Sequence, residues 1–195
     1  MIPAVPADEH RAIAASFTAT VQGVAPDQWD APTPVAAWQA RDVVRHLVEW
    51  FPSLLEAGTG IVLPPGPPVD DDPAAAWEHH AAAVQDILDD PASNEITFTH
   101  QHIPAMPLPR MVSQFYTADV FMHTWDLARA TGQDDRLDEA RCAQMFAGME
   151  PLDEMLRSSG QYGARVPVAA DADAQTRLLG FIGRDPAWQP VHQRS

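Results

Sequence analysis

Asp119 and His123 stand four residues apart in FYTADVFMHTWDLARATG, a spacing that puts a carboxylate and an imidazole on one face of a helix. Converging on one point, the two can share a cation, and a third ligand would complete the set. His46, in the amphipathic stretch RDVVRHLVEW, is the candidate third ligand if its helix packs against the one carrying the pair. Two imidazoles and a carboxylate with open coordination positions suit zinc, nickel, iron or another divalent metal. Such a centre lowers the pKa of a bound water or activates a substrate thiol. Acid and histidine at this spacing also form ordinary helix-surface pairs, and a lone histidine is commonly bonded to a backbone oxygen, so spacing alone leaves both readings open.

Other polar groups read as structural. His79 and His80 point in different directions on a helix and are expected to be solvated, while His100 and His102 flank a proline-rich bend as loop anchors near a cavity mouth. Asp126 is expected to pair with Arg129, with a hydrogen bond to a metal-bound histidine as the alternative. Arg184 is expected to pair with Asp185, or else to recognise an anionic substrate. Cys142 has no histidine or basic cluster beside it and reads as a small core residue. Gly180 and Gly183 in LLGFIGRDPAW lack the strand-to-helix setting of a phosphate loop.

Helices must position these groups. Ile13, Phe17 and Val21 recur every four residues between Asp8 and about Gln22. A loop rich in proline follows, folded back on the core by Trp29 and Trp38 as anchors. Val43, Val44, Leu47, Val48, Phe51 and Leu54 form the apolar stripe of a second helix from Ala40 to about Leu55. GTGIVLPPGPPVDDDP breaks it, because proline lacks the backbone donor. Asp72 and Pro73 then cap a third helix, with Trp77, Val84 and Leu88 inward. NEITFTHQHIPAMPLP is predicted to be a short extended segment or irregular lid rather than a sheet. A long fourth helix runs from Leu108 or Pro109 to Ala130 and stops at Gly132, with Met111, Phe115, Ala118, Met122 and Trp125 or Leu127 inward. A fifth spans Leu137 to about Leu156, with Phe146, Met149 and Met155 on its apolar side.

These elements predict an all-α four-helix bundle with an additional C-terminal helix and an irregular tail. One domain is expected over residues 1–195, with 8–158 as the bundle and 159–195 as a C-terminal wrap. The chain of 195 residues and 21.3 kDa suits one domain, and 46% hydrophobic residues against 20% charged describe a packed core. Twelve Lys and Arg against 27 Asp and Glu leave a net charge of -15, which repels a phosphate backbone and argues against nucleic acid. One cysteine forms no internal disulfide and fits a cytoplasmic protein. The N-terminus has no leader pattern and no long apolar run marks a membrane span.

TP...AAWQARDVVRHLVEW, followed by DVFMHTWDLARATG and LLGFIGRDPAW, resembles the mycothiol-dependent maleylpyruvate isomerase-like metal-binding proteins of the DinB/YfiT-like superfamily. The resemblance covers roughly Asp8 to Trp188, and its ending is similar to an actinobacterial subgroup described only as metal-binding. It implies a four-helix bundle with a divalent metal at one end of its interior. The matching ligand positions are His46 and His123, with Asp119 where the isomerase carries glutamate and some DinB proteins histidine. Aspartate is one methylene shorter, so it binds differently or lets a water intervene. Related enzymes use the centre to activate a low-molecular-weight thiol, chiefly mycothiol or bacillithiol. The resemblance therefore implies a metal-dependent transferase or isomerase-like enzyme, with zinc or nickel as cofactor, mycothiol as cosubstrate and a small-molecule substrate. The alternatives are a noncatalytic metal or small-ligand binding protein, a metal-dependent hydrolase, and a structural module. The long helices also offer faces for a homodimer.

Overall fold

Prolines and capping carboxylates set where the helices begin. In a computed structural model that describes residues 2–158, 160 and 162–190, α1 (Pro6–Gln22) opens on Pro6, where a missing N–H costs nothing. It buries Ile13, Phe17 and Val21. Helix α2 (Ala40–Thr59) is entered through the Gln39 N–H, which donates to Asp42 Oδ2 at 2.9 Å, and is closed by Gly60 at φ 77°. Its stripe Val43, Val44, Leu47, Phe51 and Leu55 is buried, with Val48 and Leu54 half-buried. Helix α3 (Pro73–Asp89) starts where Asp72 accepts from the Ala75 N–H at 2.9 Å, and it turns Trp77, Val84 and Leu88 inward.

The segment after α3 is extended, one of the two expected forms, but its halves pair, which corrects the expectation that no sheet forms. β1 (Thr97–His100) and β2 (Ile103–Pro107) form an antiparallel hairpin, with Phe98 opposite Met106 and Thr97 opposite Pro107. Prolines are tolerated here because each strand of a two-stranded ribbon has an edge without a partner. Phe98 is fully buried against α2 at Gly58, where an added Cβ would lie 2.0 Å from its ring.

The expected fourth helix is one helical run with a wide turn inside it. α4 (Leu108–Met111) passes through a π-helical turn, Val112–Thr117, into α5 (Ala118–Thr131), and Gly132 at φ 70° ends it. The wide turn rotates the inward stripe, so Val112 and Tyr116 are buried and Phe115 is 37% exposed, against expectation. α1 packs on α3 and α5, and α2 packs on the same two helices. The order around the bundle is thus α1, α3, α2, α5, which sets His46 on α2 beside the pair on α5. Phe17 meets Trp77 edge-on at 4.5 Å and Phe51 stacks on Tyr116 at 4.2 Å in the shared core.

The expected fifth helix is interrupted. α6 (Glu139–Met149) gives way at a 3-10 turn, Glu150–Leu152, to α7 (Asp153–Ser158), because Pro151 cannot donate to the preceding turn. Phe146 packs on Phe181 at 5.7 Å, but Met155 beyond the break is 58% exposed, not inward. α8 (Ala174–Phe181), capped by Asp173, packs on α6. The result is the DinB/YfiT-like all-α bundle with an additional C-terminal helix and a small hairpin. Of the expected wrap over 159–195, residues 159, 161 and 191–195 lie outside the described residues. Among the described residues, no helix is long and apolar enough to cross a membrane.

Candidate metal centre

His46 Nε2 lies 2.9 Å from Asp119 Oδ2, and His123 Nε2 lies 3.5 Å from Asp119 Oδ1. One donor atom from each residue falls within 4.8 Å of the others. Two ligands on one tetrahedral ion at about 2.0 Å sit about 3.3 Å apart, so the observed separations suit a shared divalent cation. His46 is 31% exposed, Asp119 19% and His123 6%. The cluster therefore opens towards solvent on the His46 side. The π turn ends two residues before Asp119, the kind of place where such turns commonly mark functional positions.

Two tryptophans enclose the cluster. Trp50, one turn after His46 on α2, donates its indole N–H to Asp119 Oδ2 at 3.1 Å. Trp38 stacks on His123 at 5.6 Å and 20° and lies 5.0 Å from His46. Ala37, just before it, sits at φ 66°, a left-handed conformation that costs an alanine energy. The loop is held by the Thr33 N–H donating to the Trp38 carbonyl at 3.0 Å and the Trp38 N–H to that of Val35 at 3.1 Å. Trp38 is thus a half-buried anchor, as expected, and also a wall of the cluster.

Behind His123 lies a buried ion pair. The His123 Nδ1–H donates to Asp126 Oδ2 at 2.9 Å, and its Nε2 is turned towards Asp119. Arg184 grips the same carboxylate, Nε to Oδ1 at 2.8 Å and Nη2 to Oδ2 at 3.0 Å. Asp126 is fully buried. Burial pushes its carboxyl up, but His123 and Arg184 more than offset this and hold it below the ordinary carboxylate value. Burial likewise opposes the Arg184 charge, and Asp126 restores it and raises the guanidinium pKa.

These contacts replace two expected pairs. Arg129, on the helix rim, pairs with Asp135 at 2.7 Å while Asp126 faces inward. Asp185 accepts from the Ala187 N–H at 2.9 Å instead of holding Arg184. Tyr162 also senses the cluster: burial and the Asp119 charge push its hydroxyl up to about 12.

The remaining candidates stay apart from the cluster. His79 is exposed and bonds the Pro64 carbonyl at 3.2 Å, but His80, expected to be solvated, is buried against Phe51 and Tyr116. The Ala-rich helix left that register undetermined. His100 and His102 meet at the hairpin turn, where the His102 N–H donates to His100 Nδ1 at 3.3 Å. Cys142 is buried and its thiol is pushed up to about 12, chiefly by burial, so it is no nucleophile. The proline-rich stretch from Leu63 to Val69 lines a cleft of about 240 Å³ whose walls include neither His46, Asp119 nor His123. The spacing of His46 and Trp50 was a readable sign that Trp50 shares the ligand face, whereas the Arg184 contact spans 58 residues and left no local signal.

With this geometry in place, the kinship follows. Residues 10–128, more than half of the chain, match the family model for the mycothiol maleylpyruvate isomerase N-terminal domain. The chain belongs to that family. Two relatives from Mycobacterium tuberculosis, uncharacterized protein MT0763 of strain CDC 1551 / Oshkosh and uncharacterized protein Rv0738 of strain ATCC 25618 / H37Rv, are each 28% identical over 181 residues. Each match covers 90% of this chain and 95% of the relative. No solved structure matches the chain.

Proposed function

We propose that this chain binds a divalent metal through His46, Asp119 and His123 and activates a low-molecular-weight thiol there, mycothiol foremost, in transferase or isomerase-like chemistry. The observation that carries this reading is the convergence of the three donor groups, with Asp126 engaging the far nitrogen of His123. Metal-bound histidines characteristically donate their other ring N–H to a carboxylate. Zinc or nickel suits two imidazoles and a carboxylate. When bound, the metal supplies a Lewis acid that lowers the pKa of a coordinated thiol or water.

The chain's own groups supply the rest. Asp119 neutralises cationic charge, and Trp50 fixes one of its oxygens. Trp38 covers the imidazoles and lowers the local dielectric, which strengthens each electrostatic contact. Tyr162 keeps its proton, because burial and the Asp119 charge raise its pKa to about 12. With Cys142 inert, the reacting sulfur comes from the small thiol. A soluble cytoplasmic setting, where such thiols are reduced, belongs to the same reading.

Elemental analysis of protein purified without a metal-affinity tag tests the metal. Near one equivalent in the wild type, lost in His46→Ala and in His123→Ala, supports the site; a metal-free protein that also refuses added zinc and nickel overturns it. Turnover of electrophiles that requires mycothiol supports the thiol reading. Turnover without thiol would replace it with hydrolysis, and metal binding without turnover would leave a noncatalytic binder.

A further inference from the structure

Arg184 lies 56 positions beyond the family-matched region, which ends at residue 128, yet among the described residues it makes two of the three hydrogen bonds to the carboxylate behind His123. We propose that Arg184 is a positioning residue that sets the metal affinity of the centre by fixing Asp126 and, through it, the His123 imidazole. The inference rests on the metal reading above and adds a residue supplied by the C-terminal segment.

Arg184 is held where it can do this. It directly follows the turn that ends α8, and its backbone N–H donates to the Leu179 carbonyl at 2.9 Å. The irregular stretch around residues 163–168 lies against that turn, tied by the Val166 N–H to the Gly180 carbonyl at 2.9 Å. Two glycines permit the approach. A Cβ on Gly180 would lie 2.7 Å from the Val166 carbonyl oxygen, and one on Gly183, at φ 86°, would lie 3.0 Å from that of Ala164. Arg157 clamps the same place by donating to the Gly163 and Phe181 carbonyls. The guanidinium is therefore delivered by fixed backbone, not by a mobile tail.

Asp126 has no exposure, so solvent cannot replace a lost partner. Oδ2 accepts from both His123 and Arg184, while Oδ1, among the described residues, is bonded to Arg184 alone. Two points of contact on a planar fork fix the carboxylate plane. With Arg184 removed, that plane is free to turn and the His123 ring loses its orienting partner. A lysine would restore charge without the fork, and so only part of the effect.

The test uses cobalt(II) as the metal probe, with affinity measured by chelator competition on the full chain. A long-range proton–nitrogen spectrum of the metal-free protein reports whether the His123 Nδ1 carries the proton. Arg184→Gln is expected to weaken cobalt(II) binding by about 10- to 100-fold and to disturb the His123 nitrogen signals, with Arg184→Lys between it and wild type. Should Arg184→Gln fail to fold, Arg184→Lys, which keeps the Asp126 charge paired but lacks the fork, carries the test: wild-type affinity with wild-type His123 signals overturns the proposal. Unchanged affinity and unchanged His123 signals in a folded variant overturn the proposal. Failure of the wild type to bind cobalt(II) sinks the metal reading instead, and the imidazole spectrum then still decides whether Arg184 positions His123.

Discussion

Trp50 donates its indole N–H to the same Asp119 oxygen, Oδ2, that lies 2.9 Å from His46 Nε2. Helix α2 therefore supplies one candidate ligand and orients another across the interface with α5. Trp50→Phe keeps the ring and deletes the donor. A hydrogen bond to a charged group contributes about 1.5–3 kcal/mol, and the partial exposure of Asp119 reduces it, so zinc affinity should fall about tenfold. Chelator competition measures this, and an unchanged affinity would leave Trp50 a packing residue only.

Acid should destabilise the fold through two buried histidines. His10 and His80 both have their pKa lowered from 6.5 to about 4, chiefly by burial. The unfolded chain thus binds protons that the folded chain refuses. Their contribution is fully present above pH 6.5, falls as the pH drops through that window, and levels off below 4, with about 3 kcal/mol lost per histidine. Urea titrations between pH 7 and 4 should show the decline. His80→Phe should flatten it by roughly half on the same linkage argument, and an equal slope in the variant would contradict the assignment.

Gly183→Ala should destabilise the chain by about 1–2 kcal/mol, from its left-handed backbone alone. The added Cβ also meets the Gly163 backbone at 3.1 Å. Thermal unfolding gives the first effect. A wild-type melting temperature would show that the turn relaxes freely.

Cys142 should resist thiol reagents. With its thiol pushed up to about 12 and its side chain buried, it carries almost no thiolate at pH 8. Disulfide-exchange reagents are expected to label it only after denaturant is added; rapid labelling of the native protein would refute this.

Local chemistry made much of the fold legible. Pro6, Asp72 and Gly132 mark helix ends by rules that act within one turn, and the stripes of α1 and α2 follow from periodicity. Asp119 and His123 were legible as a pair for the same reason. His46 was legible as a third ligand only on the condition that its helix packed against theirs, and the resemblance supplied that condition, because packing between α2 and α5 is not written in either helix alone. What escaped depends on distant partners. Asp126 chose Arg184 over nearby Arg129 because it faces the interior. His80 lost its expected exposure because alanines on every side of α3 set no register. The hairpin hid behind Pro104 and Pro107, whose missing donors argue against a sheet but not against an edge. Phe115 and Met155 were misplaced where a regular helical period was carried through a wide turn and past a proline.

The π turn at Val112–Thr117 also acts as an angular spacer. Asp119 and His123 both lie downstream of it, so they travel as one unit whatever happens within the turn. Removing one residue there would turn everything upstream by about 100° against that unit, while the pair kept its spacing. Phe98 and Leu108, both fully buried, hold the upstream side in the core. The pair would then have to swing away from His46 or drag the hairpin out of its seat. Whether two correctly spaced ligands meet the third is thus a matter of rotational indexing, set by the residues that precede them.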